Sequence, residues 1–397
     1  MKLNINRLTF YLLFFATFVN VRYIANYNLF KDACLLLVAL YIFPRYPLIK
    51  KRVYQKVNLS LLLFIVIMAI SMITNFSTAK QHLNEMIIFS VAVVEFFLCI
   101  EIAVEKNFLP SALKCIKNAL FIVLCINDFL IFTVDMEINS QSVYFIGDKF
   151  YVLYAHLILL ALCMTDYLQG THPKRWKYIL LTVGSLITVV VGARIESGST
   201  LVCVILFILF YIIYGLDWEW LFSNKILIGL LVFSTMFVFV YDVVLRIPFI
   251  SHFITEVLHK TLLLSSRVTI YILIPEVLRD HLLSGYGFGT SYEVWTQRLG
   301  YGNAQNGVLD WVCQCGIVVL IPLYLLIVNS LLSRSSCSRR IERPLLAVLS
   351  MLAVYACVEI TINIQFLACL AMVFGIIILE RRETSIEKDI DPRSVHE

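Results

Sequence analysis

The chain has 397 residues, of which 60% are hydrophobic and only 15% are charged, and its mean hydropathy is +0.86. Soluble globular proteins have an apolar share nearer half, so this composition excludes a soluble globule and predicts a polytopic membrane protein. The formal net charge of +5 gives no reason to propose nucleic acid as a partner, because the basic residues follow a pattern of membrane topology.

Apolar runs in chain order predict the membrane spans, since a helix needs about 20 apolar residues to cross about 30 Å of hydrocarbon. The sequence therefore predicts an all-α polytopic protein with about 12 transmembrane helices. We divide it into a bundle of about nine helices over 1–247, a loop over 248–305, further transmembrane helices over 306–380 and a tail over 381–397. The predicted spans lie near 8–24, 29–44, 57–74, 84–104, 113–134, 150–168, 178–193, 198–215, 225–247, 306–329, 344–360 and 364–380.

Positive charges predict the orientation of these spans, because cytoplasmic segments are enriched in Lys and Arg. With a cytoplasmic N-terminus, the basic residues of the inner segments are Lys2, Arg7, Arg45, Lys50, Lys51, Arg52, Lys56, Lys174, Arg175, Lys177, Arg334, Arg339, Arg340, Arg343, Arg381 and Arg382. Both termini are then cytoplasmic. The long interval between Arg246 and Gln305 faces the periplasm of a bacterial inner membrane, as do the turn at Arg194 and the loop from Asp135 to Lys149.

The sequence contains no nucleotide-binding motif, since no Walker loop follows a strand and no GxGxxG opens a helix in a soluble unit. Cys313 and Cys315 are too close in sequence for a comfortable disulfide and have no second pair that would complete a zinc site. We therefore expect no cofactor, no metal and no disulfide bridge, and the energy for any reaction must come with the substrate.

The long outer interval contains two predicted helices. From residue 252 to 264, the polar residues His252, Glu256, His259 and Lys260 recur at helical spacing, which predicts an amphipathic helix along the membrane surface. A second helix is predicted to begin near Ser265, to bend near Pro275 and to stop before Gly285.

The GYGFG segment that follows allows two interpretations. Its glycines permit close backbone approach, so the turn could present N–H groups to an anion, or it could be a plain re-entrant turn beside the membrane. Arg267 also allows two interpretations, because a lone interfacial arginine can bind a phosphate substrate or extend to lipid headgroups.

The order of the segments SSRVTIY, HLLSGYGFG and QNGVLDWVCQCG resembles that in the O-antigen polymerase and ligase superfamily of bacterial membranes. The resemblance is close over about 60 residues, and the predicted layout of about 12 spans with one dominant outer loop agrees with it. It implies an integral-membrane glycosyltransferase of the GT-C type, which acts on undecaprenyl pyrophosphate-linked oligosaccharide at the periplasmic face. Polymerases move a growing glycan from its lipid carrier to a new lipid-linked repeat unit, and ligases move the finished glycan to lipid A core.

The resemblance also implies which residues hold the leaving group. In this superfamily, one arginine at a span end and another in the long loop are associated with pyrophosphate binding, and the matching positions are Arg194 and Arg267. Guanidinium groups make planar, bidentate contacts to phosphate oxygens, so lysine would substitute poorly. The alternative for Arg194 is a pair with Glu196 or extension to lipid headgroups.

The chain departs from the ligase pattern at one position. Ligases have a His before the Asn that here is Asn306, whereas this chain has Gln305, which can align a hydroxyl group but cannot accept its proton. This departure favours a polymerase over a ligase. We rank His281 and Asp310 first as replacement bases, because they are near the glycine turn and the QN pair in sequence. The other candidate bases on the outer side are His252, Glu256, His259 and Glu293.

Substrate binding is assigned to Gln305, Asn306, Gly287, Tyr286 and Glu359, the last because it flanks the eleventh predicted span on the outer side. Ordinary structural roles are the alternatives, and for His281 the alternative is a histidine at a helix end. Glu95 and Asp128 lie inside predicted spans, where they could belong to a transport path or to hydrogen bonds between helices.

The main rival function is a non-enzymatic flippase of the lipid-linked oligosaccharide, which also has about 12 spans. Flippases bury their polar contacts in a central cavity, whereas this chain concentrates Arg, Gly and aromatic residues in the long outer loop. The related membrane peptidoglycan polymerases are a third possibility, but their motifs find no convincing match. Membrane lipids are expected partners, and a chain-length regulator protein is a further candidate.

Overall fold

The computed structural model describes residues 4–19, 27–134, 143–170, 173–216, 225–252, 255–256, 267–331 and 341–390. Within these ranges the secondary structure is helical except for one antiparallel hairpin, which pairs Val143–Tyr144 with Gly147–Asp148. The prediction of an all-α polytopic membrane protein is confirmed.

The helices follow the apolar runs of the sequence. A 3-10 segment, Phe43–Ile49, follows α2, and shorter 3-10 turns lie at Lys80–His82 and Ile317–Val319. The α-helices are α1 (Ile5–Phe18), α2 (Tyr27–Ile42), α3 (Arg52–Thr74), α4 (Phe76–Ala79), α5 (Leu83–Glu105), α6 (Leu109–Thr133), α7 (Lys149–Gln169), α8 (Lys174–Arg194), α9 (Ser199–Ile213), α10 (Lys225–Leu245), α11 (Pro248–His252), α12 (Arg267–Val277), α13 (Ser291–Leu299), α14 (Gly307–Cys315), α15 (Leu320–Leu331), α16 (Arg343–Tyr355) and α17 (Ile364–Ile390).

The number of complete spans is smaller than the sequence predicts. Among the described residues, seven helices are long and apolar enough to cross a membrane, or eight if one bent pair counts as a single span. The remaining predicted spans coincide with apolar helices of 10–17 residues, at Ile5–Phe18, Ser199–Ile213, Ile226–Tyr241 and Arg343–Tyr355. Three of these helices, with 13–15 residues, fall short of the roughly 30 Å hydrocarbon layer, because each residue adds only about 1.5 Å. The fourth lies within α10, whose 21 residues are long enough to cross it.

The predicted span over 306–329 is bent and is not one straight helix. Gly307–Cys315 and Ile317–Leu331 meet at 118°, and Gly316 lies between them with φ +77°. A Cβ atom at Gly316 would lie 1.9 Å from the carbonyl oxygen of Leu283, so only glycine allows the 283–285 segment to approach this bend. The bend at Gly316 therefore depends on close packing against the glycine turn.

The C-terminal helices pack inside the bundle formed by the N-terminal ones. Helix α16 packs against α7, α9 and α10, α17 packs against α5, and α15 packs against α3. The side chains of α16 are almost all buried, whereas α8 and α10 expose many apolar side chains as expected for helices that face lipid. The 1–247 and 306–380 segments thus form one bundle in the described residues.

The segments that connect the helices on the predicted outer side lie together at one end of this bundle. Asn75 Nδ2 donates to Gly285 O at 3.1 Å, and Gly307 N donates to Ala356 O at 2.9 Å. We call this the loop end; it comprises 75–82, 195–198, 267–306 and 356–363. At the opposite end, Glu105 accepts hydrogen bonds from Lys51, Tyr54 and Arg382, and we call these four residues the tail-end cluster.

The predicted helices of the long loop are described only in part. Of the expected amphipathic helix over 252–264, His252 ends α11 and Glu256 lies in a short helical turn, while His259 and Lys260 lie outside the described residues. The second helix is confirmed from Arg267 to Val277, although Ser265 lies outside the described ranges. It contains Pro275, and turns over 278–284 lead into Gly285 as expected.

Candidate functional site

A buried ion pair joins the long loop to the connection between α16 and α17. Arg267, the first residue of α12, donates from Nε and Nη2 to the carbonyl oxygen of Val358 at 3.1 and 2.9 Å. Its Nη2 also lies 3.9 Å from Oε2 of Glu359, and the two side chains are only 14% and 7% exposed. We call Arg267 and Glu359 the loop-end ion pair. The fold brings together two residues that are far apart in sequence.

Helical spacing on α12 explains why this contact forms. Tyr271 lies four residues after Arg267, on the same helix face. Its hydroxyl donates to Cys357 O at 2.9 Å and to Gln305 O at 2.8 Å. Arg267 and Tyr271 therefore bind successive carbonyl groups of the 356–363 connection, which fixes the position of Glu359.

The carboxyl group of Glu359 titrates near neutral pH. Burial raises the pKa of Glu359 to about 7, while the hydrogen bond from the Ile360 backbone and the nearby Arg267 guanidinium act to lower it. The Ile360 N–H lies 3.1 Å from Oε1, so Oε1 is held and Oε2 faces the guanidinium. A carboxyl group with this pKa can accept a proton from a substrate at physiological pH.

Two buried tyrosine hydroxyls near this pair lack hydrogen-bond partners. Tyr154 of α7 and Tyr241 of α10 are almost fully buried, and within the described ranges neither hydroxyl has a partner. Tyr154 interacts electrostatically with Glu359, and the Tyr241 ring packs edge-on against Tyr271 at 5.1 Å between centroids. Buried polar groups are nearly always paired, so these two hydroxyls beside the loop-end ion pair are exceptions among the described residues.

Arg194 ends α8 at the same end of the bundle. Its side chain is exposed, and no ion pair or hydrogen bond of this side chain is found among the described residues, which leaves the alternative pair with Glu196 without support. Ser199, at the start of α9, forms a side-chain hydrogen bond with Tyr355, which precedes the 356–363 connection. The turn after Arg194 thus adjoins the connection that carries Glu359, but no contact links Arg194 to Arg267.

Gln305 and Asn306, the predicted QN pair, make hydrogen bonds within the protein that hold the backbone near the loop-end ion pair. Asn306 is fully buried and caps α14, since its Oδ1 accepts from Val308 N at 3.0 Å and Leu309 N at 2.9 Å. Its Nδ2 donates to the carbonyl oxygens of Ser234 and Cys357. Gln305 has φ +51°, and its side chain donates to Asn303 Oδ1 at 2.6 Å. Asn306 therefore positions the start of α14 against α10 and the 356–363 connection.

The glycine turn packs closely, and several of its N–H groups are already bonded. The N–H groups of Tyr286 and Gly287 donate to the carbonyl oxygens of Cys313 and Gln314 at 2.9 and 2.8 Å, and Gly289 N donates to Gln314 Oε1 at 2.7 Å. A Cβ atom at Gly287 would lie 2.4 Å from Cβ of Ala79. Of the two interpretations of GYGFG, these contacts favour a close-packed turn over an anion-binding one.

His281 and Asp310, the two candidate bases that rank first by sequence, form their contacts with residues other than the loop-end ion pair. His281 Nδ1 lies 3.0 Å from Gly285 O, and its ring stacks on Tyr286 at 3.8 Å between centroids. The buried carboxylate of Asp310 accepts hydrogen bonds from Ser291 and from Gln314 Nε2. Both residues lie with the glycine turn, and their contacts do not include the loop-end ion pair.

Of the other candidate bases, His259 lies outside the described residues, and Glu293 contacts a different part of the loop end. Glu293 Oε1 lies 3.0 Å from His82 Nε2, which ties α13 to the turn before α5. Sequence reasoning missed Tyr154, Tyr241 and Tyr271. The spacing of Tyr271 from Arg267 was a usable signal, whereas nothing distinguishes Tyr154 and Tyr241 among the 20 tyrosines of the chain.

Within the described ranges, no group of three or more His, Cys, Asp or Glu side chains is placed to hold a metal ion. No protein-family model matches the chain, and no curated protein sequence matches it.

Proposed function

We propose that this chain is a surface polysaccharide (O-antigen) polymerase of the bacterial inner membrane. It transfers a growing glycan from undecaprenyl pyrophosphate to a lipid-linked repeat unit at the periplasmic face. The observation that carries the proposal is the loop-end ion pair, a buried guanidinium and carboxylate beside two tyrosine hydroxyls for which the described residues offer no partner. The sequence resemblance given by SSRVTIY, HLLSGYGFG and QNGVLDWVCQCG supports the same function.

The proposed reaction needs a cation for the leaving group and a base for the acceptor. The bond between sugar and diphosphate is already activated, so the enzyme has to orient the reactants and stabilise the diphosphate as it departs. Arg267 and Arg194 bind the diphosphate oxygens. Glu359 accepts the proton of the acceptor hydroxyl as its oxygen attacks the anomeric carbon and the bond from that carbon to the diphosphate oxygen breaks.

A polymerase accounts for the QN pair better than a ligase does. The Gln305 side chain donates to Asn303 and cannot take up a proton, so it cannot replace the ligase histidine. Glu359 supplies a base in a different place, on the connection between α16 and α17. Tyr154 and Tyr241 supply hydroxyl groups that can bind the sugar or the phosphate.

The surface glycan of a deletion strain tests this function. We expect loss of the protein to leave lipid A core capped by a single repeat unit, and the full-length chain to restore long glycans. Long glycans that remain on the carrier lipid and are absent from lipid A would indicate a ligase. Repeat units trapped at the inner leaflet would indicate a flippase, and either result would contradict the proposal.

A further inference from the structure

A pocket of about 430 Å³ opens on the side of the bundle, and neither Arg267 nor Glu359 is among its lining residues. It lies between α2, the 3-10 segment Phe43–Ile49, α3 and α5. Hydrocarbon side chains form nearly all of its wall, including those of Ile65 and Leu98. A lateral apolar pocket among predicted spans opens into the lipid bilayer.

Glu95 and Ser90 are the polar exceptions in this wall. Glu95 is only 4% exposed, and both of its carboxyl oxygens lack a hydrogen-bond partner among the described residues. The buried hydroxyl of Ser90 also lacks one. Hydrocarbon offers no hydrogen bonds, so buried polar groups in a membrane are expensive unless a partner supplies them. Two such groups facing one pocket indicate an occupant that has a hydrogen-bonding group of its own.

The rim of the pocket has the composition of a membrane interface. Phe43 and Tyr46 line the pocket and are 84% and 49% exposed. Arg45 lies between them in sequence, with its guanidinium 4.0 Å from the centroid of the Tyr41 ring, and Lys50 is exposed just after the 3-10 segment. Neither cation belongs to the pocket wall, but both are close in sequence to Tyr46. Aromatic rings and cations in this arrangement are typical of the level of lipid headgroups, where cations attract phosphate.

We propose that this pocket binds one acyl chain of a membrane phospholipid. The carboxyl group of Glu95, in its protonated form, and the hydroxyl of Ser90 donate hydrogen bonds to the ester oxygens of the lipid, and the nearby cations Arg45 and Lys50 face its phosphate. The pocket is too small for a partner helix, whose diameter with side chains is about 10–12 Å. A polyprenyl carrier chain has no oxygen along its length and would leave Glu95 without a partner. The phospholipid supplies both the chain and the oxygen.

Photolabelling of the full-length protein in liposomes tests the site. The probe is a phosphatidylethanolamine with a diazirine on one acyl chain, and labelled peptides are identified by mass spectrometry. We expect the strongest labelling on the α5 segment 91–98. Ala39→Trp, at an exposed position of the pocket wall, fills the pocket and abolishes this labelling, whereas Leu186→Trp on the lipid-facing side of α8 leaves it unchanged.

The hydrogen-bonding part of the proposal is tested at Glu95. Glu95→Leu reduces labelling of 91–98 several-fold, and Glu95→Gln retains it because an amide still offers hydrogen bonds. Size-exclusion profiles identify a variant that does not fold, in which case Ser90→Ala, with an expected partial loss, replaces it. Uniform labelling of all lipid-facing helices that Ala39→Trp does not change would overturn the proposal. Preferential capture of a diazirine-labelled polyprenyl phosphate in competition with the phospholipid would overturn it as well.

Discussion

The two ends of the bundle each hold a buried or half-buried arginine paired with a glutamate, but the surroundings of these pairs differ. In the tail-end cluster, Glu105 accepts hydrogen bonds from Lys51, Tyr54 and Arg382, so both oxygens of its carboxylate have hydrogen-bond donors. At the loop end, Arg267 and Glu359 lie near the hydroxyls of Tyr154 and Tyr241, which have no hydrogen-bond partner in the part of the chain that the structure describes. A satisfied network holds helices together, whereas an incomplete one can bind a ligand.

The comparison is tested most strongly by removing one arginine from each end. Arg267→Ala should reduce elongation of lipid-linked repeats in proteoliposomes by about 10³-fold, because it removes a cation from the leaving group. Arg382→Ala should reduce the amount and thermal stability of the protein, while the rate per folded molecule stays near that of the wild type. Arg279→Ala, an exposed arginine at the loop end, is the matched control and should have no effect. Equal rate losses in Arg267→Ala and Arg382→Ala would remove the distinction between the two ends.

Glu359 is expected to control the pH dependence of the rate. Its pKa is raised to about 7, so the carboxyl group is mostly protonated at lower pH and cannot accept a proton from the acceptor. The elongation rate should therefore rise as pH increases through about 7. Glu359→Gln should lower the rate by about 10²-fold and remove this rise. A pH profile that is the same in the wild type and in Glu359→Gln would exclude Glu359 as the base.

Tyr154 and Tyr241, whose hydroxyls have no partner among the described residues, should give a smaller effect than Arg267 and Glu359. Tyr154→Phe and Tyr241→Phe remove hydroxyls that bond to no described residue, so stability should hold, while the elongation rate falls by about tenfold as substrate hydrogen bonds are lost. Tyr54→Phe removes a 2.8 Å hydrogen bond to Glu105 and should have the opposite pattern, with lower melting temperature and unchanged rate. Thermal unfolding and elongation assays on the same preparations separate the two patterns.

Asn306 should affect stability more than chemistry, although it belongs to the predicted QN pair. Asn306→Ala removes the cap of α14 and two hydrogen bonds to the carbonyl oxygens of Ser234 and Cys357. We expect a loss of about 2 kcal/mol in the free energy of unfolding. Asn306→Ser, which keeps a capping oxygen and places no acceptor against these two carbonyl oxygens, should recover part of it. A rate loss in Asn306→Ala without any loss of stability would instead assign Asn306 to substrate binding.

Helix positions could be predicted from the sequence because apolar runs directly reflect burial in lipid or in the bundle. The lengths of α1, α9 and α16 could not, since flanking polar residues, turns and caps decide where a helix stops. The bend at Gly316 could not be predicted either, because it depends on a contact with Leu283 and the sequence pattern does not reveal that contact.

The candidate site was predictable only in part. Arg267 could be chosen from the resemblance of the SSRVTIY segment to a known sequence pattern, and Glu359 because it flanks the eleventh predicted span on the outer side. Ranking His281 and Asp310 by nearness in sequence was less informative, because both contact the glycine turn and its neighbours. The carbonyl groups that bond the N–H groups of Tyr286 and Gly287 belong to α14, so only the fold reveals that these donors are in use.

Binding of undecaprenyl pyrophosphate to the purified protein decides whether the loop end holds the diphosphate. We expect Arg267→Ala and Arg194→Ala each to weaken the affinity by about tenfold or more and Arg279→Ala to bind like the wild type, because in our proposal the first two cations contact the diphosphate. Equal affinity in all four proteins would contradict the assignment of the diphosphate to the loop end of the bundle.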